Sequence, residues 1–266
     1  HYIEGRAEIG LWAPEIAEAG IKANNVFLEV LRPIDQIDFG ADSQCVVFQY
    51  RRLPMLVDGE FLWAAIEGMI AGTRSQIGDF YQVVAQHPDG HWQTIHDHFA
   101  YSIPFGVLGP AELYDWRGML AQRQDREHFA HLDTLPDPDG TPRVQPPANI
   151  LQLHPGTASA EGTLAGISQI YQQIGDKIKS GQPLSAAEKH YTAYEAIQLM
   201  PIEPPIEHET GPLFWEVLEE DTEAGTMQVQ LRQHDIINWG YDVMISASTA
   251  INPALLSSKR PDELLD

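Results

Sequence analysis

A chain of 266 residues and 29.7 kDa has room for one large domain or two medium ones, at roughly 100–200 residues per domain. With 43% apolar and 20% charged residues it builds a core and is not globally disordered. The 16 Lys and Arg stand against 38 Asp and Glu, a formal charge of −22 that repels phosphate backbones and anionic membranes and suits a neutral or cationic small molecule.

Residues 1–6, HYIEGR, contain Ile3-Glu4-Gly5-Arg6, a protease site common in expression tags, and are set aside as a tag remnant. Residues 7–103 read as an antiparallel β-sandwich. VFLEVL (26–31), QCVVFQY (44–50) and DFYQVVAQ (79–86) are β-branched or aromatic runs. Asp58-Gly59, Gly72, Gly78 and His87-Pro88-Asp89-Gly90 punctuate them as turns. EFLWAAIEGMI (60–70) fits helix or strand, and its neighbours favour strand. HWQTIHDHF (91–99) holds His91, His96 and His98; His-x-His can bind zinc on a strand, but no third ligand is evident and structural turns are expected there.

Residues 104–148 form a connector rich in Gly and Pro, with PDPDG at 136–140. Within it LYDWRGMLAQRQDREHFAHL (113–132) has helical apolar spacing, and His128 and His131 fall on its surface face.

The texture changes at 149. NILQLH (149–154) reads as a short strand ending at Pro155-Gly156. TLAGISQIYQQIGDKI (163–178) puts Leu164, Ile167, Ile170, Tyr171, Ile174 and Ile178 on one helical stripe. Ser185 caps the next helix, with Glu188 completing a capping box. AIQLMPI (196–202) is a second apolar strand and DVMISAS (242–248) a third extended piece. Strand, helix, strand in about fifty residues is a parallel βαβ unit.

Chemistry-bearing patterns are few. Gly-rich phosphate loops, HExxH and the Gly-x-Ser-x-Gly elbow are absent. NWGYDV (238–243) combines aromatic rings with a carboxylate, as a sugar site requires: an apolar plate for the C–H face and an acceptor for paired hydroxyls. Trp239 and Tyr241 serve equally as core anchors of a loop.

These stretches resemble the α-amylase superfamily, glycoside hydrolase family 13, in the subgroup with an N-terminal β-sandwich. ILQLHPGTASAEGTLAGI (150–167) is similar to that family's first barrel strand and turn, AIQLMPIEPP (196–205) to its second strand, and NWGYDV to the Trp-Gly-Tyr-Asp segment that follows. GLWAPEI (10–16), FLWAAIEGM (61–69) and GDFYQVV (78–84) resemble its family 48 carbohydrate-binding-type module. Within the superfamily the chain looks most like the cyanobacterial glucosylglycerol hydrolases. The resemblance implies a β-sandwich domain followed by the first β/α units of a TIM-type (β/α)8 barrel over 149–266, incomplete in this chain. It implies a retaining hydrolase of an α-glucoside of a small polyol, with the catalytic carboxylates outside residues 1–266. The rest of the barrel, in a C-terminal portion or a second chain, is then an expected partner.

By the same match Asp242 contacts the glucose unit, with Tyr241 and Trp239 beside it. Where the family has a Tyr three residues later, Ile245 stands here. His154 and Glu203, at the strand ends, are either a wall of the sugar site or a hydrogen-bonded pair bracing the strands. No cofactor or metal is expected, and neither nucleic acid nor membrane is a partner. Lone Cys45, the acidity and the lack of a leader or apolar span point to the cytoplasm. Two alternatives remain: a non-catalytic carbohydrate-binding or regulatory module, and a transglycosidase or phosphorylase of the same superfamily.

Overall fold

Alternating apolar and polar residues lay out the strands that dominate the fold, and the order in which they pair is set by long-range contacts. The fold, a computed structural model, is described for residues 1–127, 148–204, 215–232, 241 and 249–266. A smaller sheet contains β1 (Tyr2–Ile3), β2 (Arg6–Trp12), β5 (Leu56–Asp58) and β6 (Phe61–Glu67), in the order β1-β2-β6-β5. The larger sheet contains β3 (Val26–Pro33), β4 (Ser43–Pro54), β7 (Phe80–Gln86), β8 (Trp92–Ile95) and β9 (Ala111–Glu112). β10 (Ile150–Leu153) and β11 (Ala196–Leu199) pair with each other in parallel, and β12 (Trp215–Asp221) and β13 (Thr226–Arg232) form an antiparallel hairpin. Among the described residues the α-helices are α1 (Pro14–Glu18), α2 (Trp116–Ala121), α3 (Leu164–Lys179) and α4 (Ala186–Tyr191).

One core joins the inner faces of the two larger sheets. Ala7, Ile9, Leu11, Leu62 and Ile66 come from β2 and β6, and Val26, Leu28, Val30, Val83 and Ala85 from β3 and β7. Tyr2 and Ile3, set aside in the sequence reading, pair with Ala7 and Arg6 through a turn at Glu4 and Gly5, both at positive φ. EFLWAAIEGMI resolves as strand β6, because Leu62 and Ile66 alternate into that core.

The hairpin overturns the expected fold class. β13 does not continue a series of β/α units. It pairs with β4, Val229 opposite Val46, and extends the larger sheet to the order β12-β13-β4-β3-β7-β8. Met227, Val229 and Leu231 sink into a second core with Phe48, Phe80 and Phe105, and Trp215 packs 5.3 Å from Phe48 and 5.1 Å from Phe105. The molecule is therefore mostly β, its larger sheet curled as an open half-barrel, and not a β-sandwich leading into a (β/α)8 barrel. The parallel pair β10–β11 has a helical crossover, but among the described residues it stands as a two-stranded sheet with Ile150 and Ile197 exposed, whereas barrel strands are buried on both faces. The fold gives no support to a missing barrel portion as partner. The third extended piece expected at 242–248, and the end of the expected connector helix with His128 and His131, lie outside the described residues; α2 covers 116–121.

α3 forms where the apolar stripe placed it. Thr163 caps it by accepting from the Gly166 amide at 3.2 Å, and Leu164, Ile167 and Ile174 are buried. α4 carries the full capping box between Ser185 and Glu188. Residues 249–266 then fasten this part to the sheets. Ile251 and Leu256 pack on Leu164, Ala250 enters the main core, and Arg260 reaches Glu112.

Candidate functional site

The candidate site is the β10–β11 pair and what lies against it. The parallel register sets Gln152 beside Gln198 and Leu153 beside Leu199. Because partners in register share a face, the two amides stand together, and both residues are exposed. The Gln152 Nε2 donates to the Tyr241 hydroxyl at 2.9 Å, so the phenol is tied to β10 with its ring half exposed, at 50%. An aromatic plate beside two amides has an apolar surface for sugar C–H groups and donors and acceptors for hydroxyls.

His154 follows β10 directly, its carbonyl accepting from the Thr157 and Ala158 amides at 3.1 and 2.9 Å. Its ring lies against Gly156, where a Cβ would stand 3.0 Å from Cε1, so a larger residue there would press on the imidazole. Glu203 lies just beyond β11, half buried, at the same end of the pair as His154. The Asn252 amide donates to the Ile202 carbonyl at 2.7 Å, pinning the chain beside Glu203. Tyr241 and Gln152 are brought together, and His154 and Glu203 share a strand-end edge. Asp242 and Trp239 lie outside the described residues.

Sequence reasoning missed Gln152 and Gln198. The signal was present: ILQL and AIQL carry the same amide at the same position of paired strands. A groove of about 690 Å³ runs nearby between α3 and the C-terminal segment, lined by Tyr171, Gln172, Asp176, Leu199, Glu263 and Leu264, and none of the sequence-predicted site residues lines it.

The histidines of 87–99 do other work. His87 and His91 stack at 3.9 Å, His91 Nδ1 bonds Asp89, and His96 Nδ1 bonds the Gly109 carbonyl at 3.1 Å, burial holding its pKa below the usual value. Among the described residues no group of three His, Cys, Asp or Glu is placed to hold a metal, and no helix is long and apolar enough to cross a membrane.

The family model described as hypothetical glycoside hydrolase 5 matches residues 1–266. The chain belongs to that family. Membership in the hypothetical glycoside hydrolase 5 family implies a general glycosidase-like role and a carbohydrate ligand. No curated protein matches the chain.

Proposed function

We propose that this family member acts as a retaining glycoside hydrolase on an α-glucoside of a small polyol, of the glucosylglycerol kind. The observation that carries the reading is the Gln152–Tyr241 hydrogen bond, which ties a half-exposed ring to β10 one residue before Asp242. In this reading Tyr241 and Trp239 present ring faces to the glucose, and Asp242 accepts two hydroxyl hydrogen bonds. Gln152 and Gln198 fix the remaining hydroxyls, and His154 and Glu203 wall the strand ends. Retention needs two carboxyls about 5–5.5 Å apart, and neither is assigned within residues 1–266. The α-glucoside choice is supported by the resemblance of 150–167, 196–205 and 238–243 to the α-amylase superfamily. Lone Cys45 and the acidic composition support a cytoplasmic location.

Incubation of glucosylglycerol with the enzyme, with and without phosphate, tests the reaction class. Glucose and glycerol with the α-anomer appearing first is the expected result. Glucose 1-phosphate formed only with phosphate identifies a phosphorylase, new glycosides a transglycosidase, and the β-anomer appearing first overturns retention.

A further inference from the structure

We propose that a small aromatic-walled cavity at the open edge of β2 binds a quaternary ammonium cation of the choline kind, one that carries no carboxylate of its own. No residue of the β10–β11 site lines it, and it rests on neither Tyr241 nor the reaction proposed there.

Separate stretches of chain build the walls. β1 covers β2 only at Arg6 and Ala7, so beyond them that side of β2 pairs with no strand among the described residues, and Glu8 and Gly10 line the cavity there. Tyr81 enters from β7. The segment after β8 turns back where the Ala100 amide donates to the Asp97 carbonyl at 3.3 Å, and Asp97, Phe99 and Tyr101 all line the space it wraps. Tyr101 stacks on Trp116 at 5.2 Å and 14°. In all, Tyr2, Tyr81, Phe99, Tyr101, Tyr114 and Trp116 supply six rings. The exposed Glu8, Gly10 and Phe99 mark the side open to solvent. The volume is about 140 Å³. A cavity of that size admits a benzene-sized guest and falls below the ~300 Å³ at which drug-sized pockets begin, so it takes a compact head group and not a glucoside.

Charge decides the kind of guest. The Tyr81 hydroxyl donates to Asp97 Oδ2 at 2.6 Å and the Phe99 amide to Oδ1 at 2.9 Å. Among the described residues no Lys, Arg or His pairs with this half-buried carboxylate. Burial, and then Asp97 itself, push the Tyr81 hydroxyl well above its usual pKa, so it stays a donor and the pair stays negative at neutral pH. Aromatic faces attract cations, most strongly where water is excluded. Two of these rings already show it: Arg117 lies 5.5 Å over Trp116 and Arg260 5.1 Å over Tyr114. Tyr2, Tyr81, Phe99 and Tyr101 carry no such cation among the described residues. The cations nearby have other partners. Arg260 is balanced by Glu112, Arg6 bonds Glu8 at 3.1 Å, and the His1 ammonium, also on the lining, donates to the Glu8 carbonyl at 2.7 Å. An uncompensated carboxylate among aromatic faces fits a cation that needs no hydrogen-bond acceptors, its charge spread over apolar methyl groups. A bare metal ion wants several oxygen or nitrogen ligands, and no group of three His, Cys, Asp or Glu is placed to give them among the described residues. A zwitterion such as glycine betaine would bring a second carboxylate against Asp97.

Calorimetric titration of the 266-residue chain with choline, with glycine betaine and with the neutral isostere of choline, in which a quaternary carbon replaces the nitrogen, tests the site. Choline binds, betaine binds more weakly, and the neutral isostere binds at least tenfold more weakly. Tyr101→Ala weakens choline binding tenfold or more, whereas Tyr101→Phe keeps the ring and binds as the wild type does. Asp97→Asn removes most of the preference for choline over its isostere. Circular dichroism confirms that each variant is folded, and the comparison of choline with its isostere needs the wild type alone. Tyr101→Ala leaves glucosylglycerol binding unchanged, which separates this cavity from the Tyr241 face. Absence of choline binding overturns the proposal, as does choline binding indifferent to Tyr101→Ala. Equal affinity for choline and the neutral isostere also overturns it, since the cavity is then an apolar void with no preference for charge.

Discussion

Arg260 grips Glu112 with both ends of its guanidinium: Nη2 donates to Oε1 at 2.7 Å and Nη1 to Oε2 at 2.9 Å, with both residues buried. The remaining lone pairs of Glu112 accept from Ser102 Oγ and the Gly78 amide, each at 2.7 Å, so the buried charge is fully satisfied. Tyr114 donates to Asp262 beneath the same guanidinium, its hydroxyl pKa held well above the usual value by burial and by that carboxylate. This is the joint by which the segment carrying the β10–β11 site's C-terminal support is held against the sheets.

Removing one partner strands the other charge. Arg260→Met is expected to cost about 3–5 kcal/mol, and the Glu112→Gln, Arg260→Met double variant less than the single one. Gly72→Ala attacks the joint differently, because its Cβ would stand 2.2 Å from Glu112 Oε1, and a loss of about 1–3 kcal/mol is expected. Urea melts of the four proteins measure these; an Arg260→Met change below about 1 kcal/mol contradicts the account.

The β12–β13 hairpin is part of the larger sheet's core. Leu231 is 3% exposed, and Leu231→Ala is expected to destabilise the whole fold by about 2–5 kcal/mol. Hydrogen exchange then shows the amides of β13 and β4 opening together. A hairpin that exchanges freely while β4 stays protected rules this out.

Glu188 responds to acid. Its hydrogen bonds with Lys177 and with the Ser185 backbone and side chain lower its pKa to about 2 from an ordinary 4.5. A depressed pKa stabilises above the unfolded value, so the contribution is complete above about pH 4.5 and drains away as pH falls toward about 2. The amides of α4 are expected to lose protection across that window, and Glu188→Gln is expected to remove the pH dependence. NMR exchange rates at pH 5 and pH 3 make the comparison.

Much of the local structure was legible. The runs at 26–31, 44–50 and 79–86 fall in β3, β4 and β7, and the stripe from Leu164 to Ile178 forms α3. Ser185 and Glu188 announced their cap three residues apart. Gly72 and Gly78 were read as turn residues, yet Gly72 bridges to Tyr114 and Gly78 lies outside any turn; what they answer to, close approach of Glu112 and of backbone, belongs to the folded state. The fold class was not legible. MQVQL alternates cleanly, yet nothing local says that Val229 seeks Val46, far back in the chain, in place of a neighbour of β11. The motifs around His154 and Glu203 drew the eye to a barrel because a βαβ unit is the same local pattern in an isolated pair and in a closed ring. At the candidate site, Tyr241 stood out through its neighbours Gly240 and Asp242, whereas Gln152 and Gln198 become candidates only once the register sets them side by side.

The central claim is that the Tyr241 face holds a small α-glucoside. Calorimetric titration of glucosylglycerol into the wild type, Tyr241→Phe and Asp242→Ala measures it most directly. Wild-type binding weakened about tenfold or more by Asp242→Ala, and less by Tyr241→Phe, is the predicted result, since a charge-assisted hydrogen bond is worth about 1.5–3 kcal/mol. Equal affinity in all three proteins, or no binding by the wild type, contradicts the account.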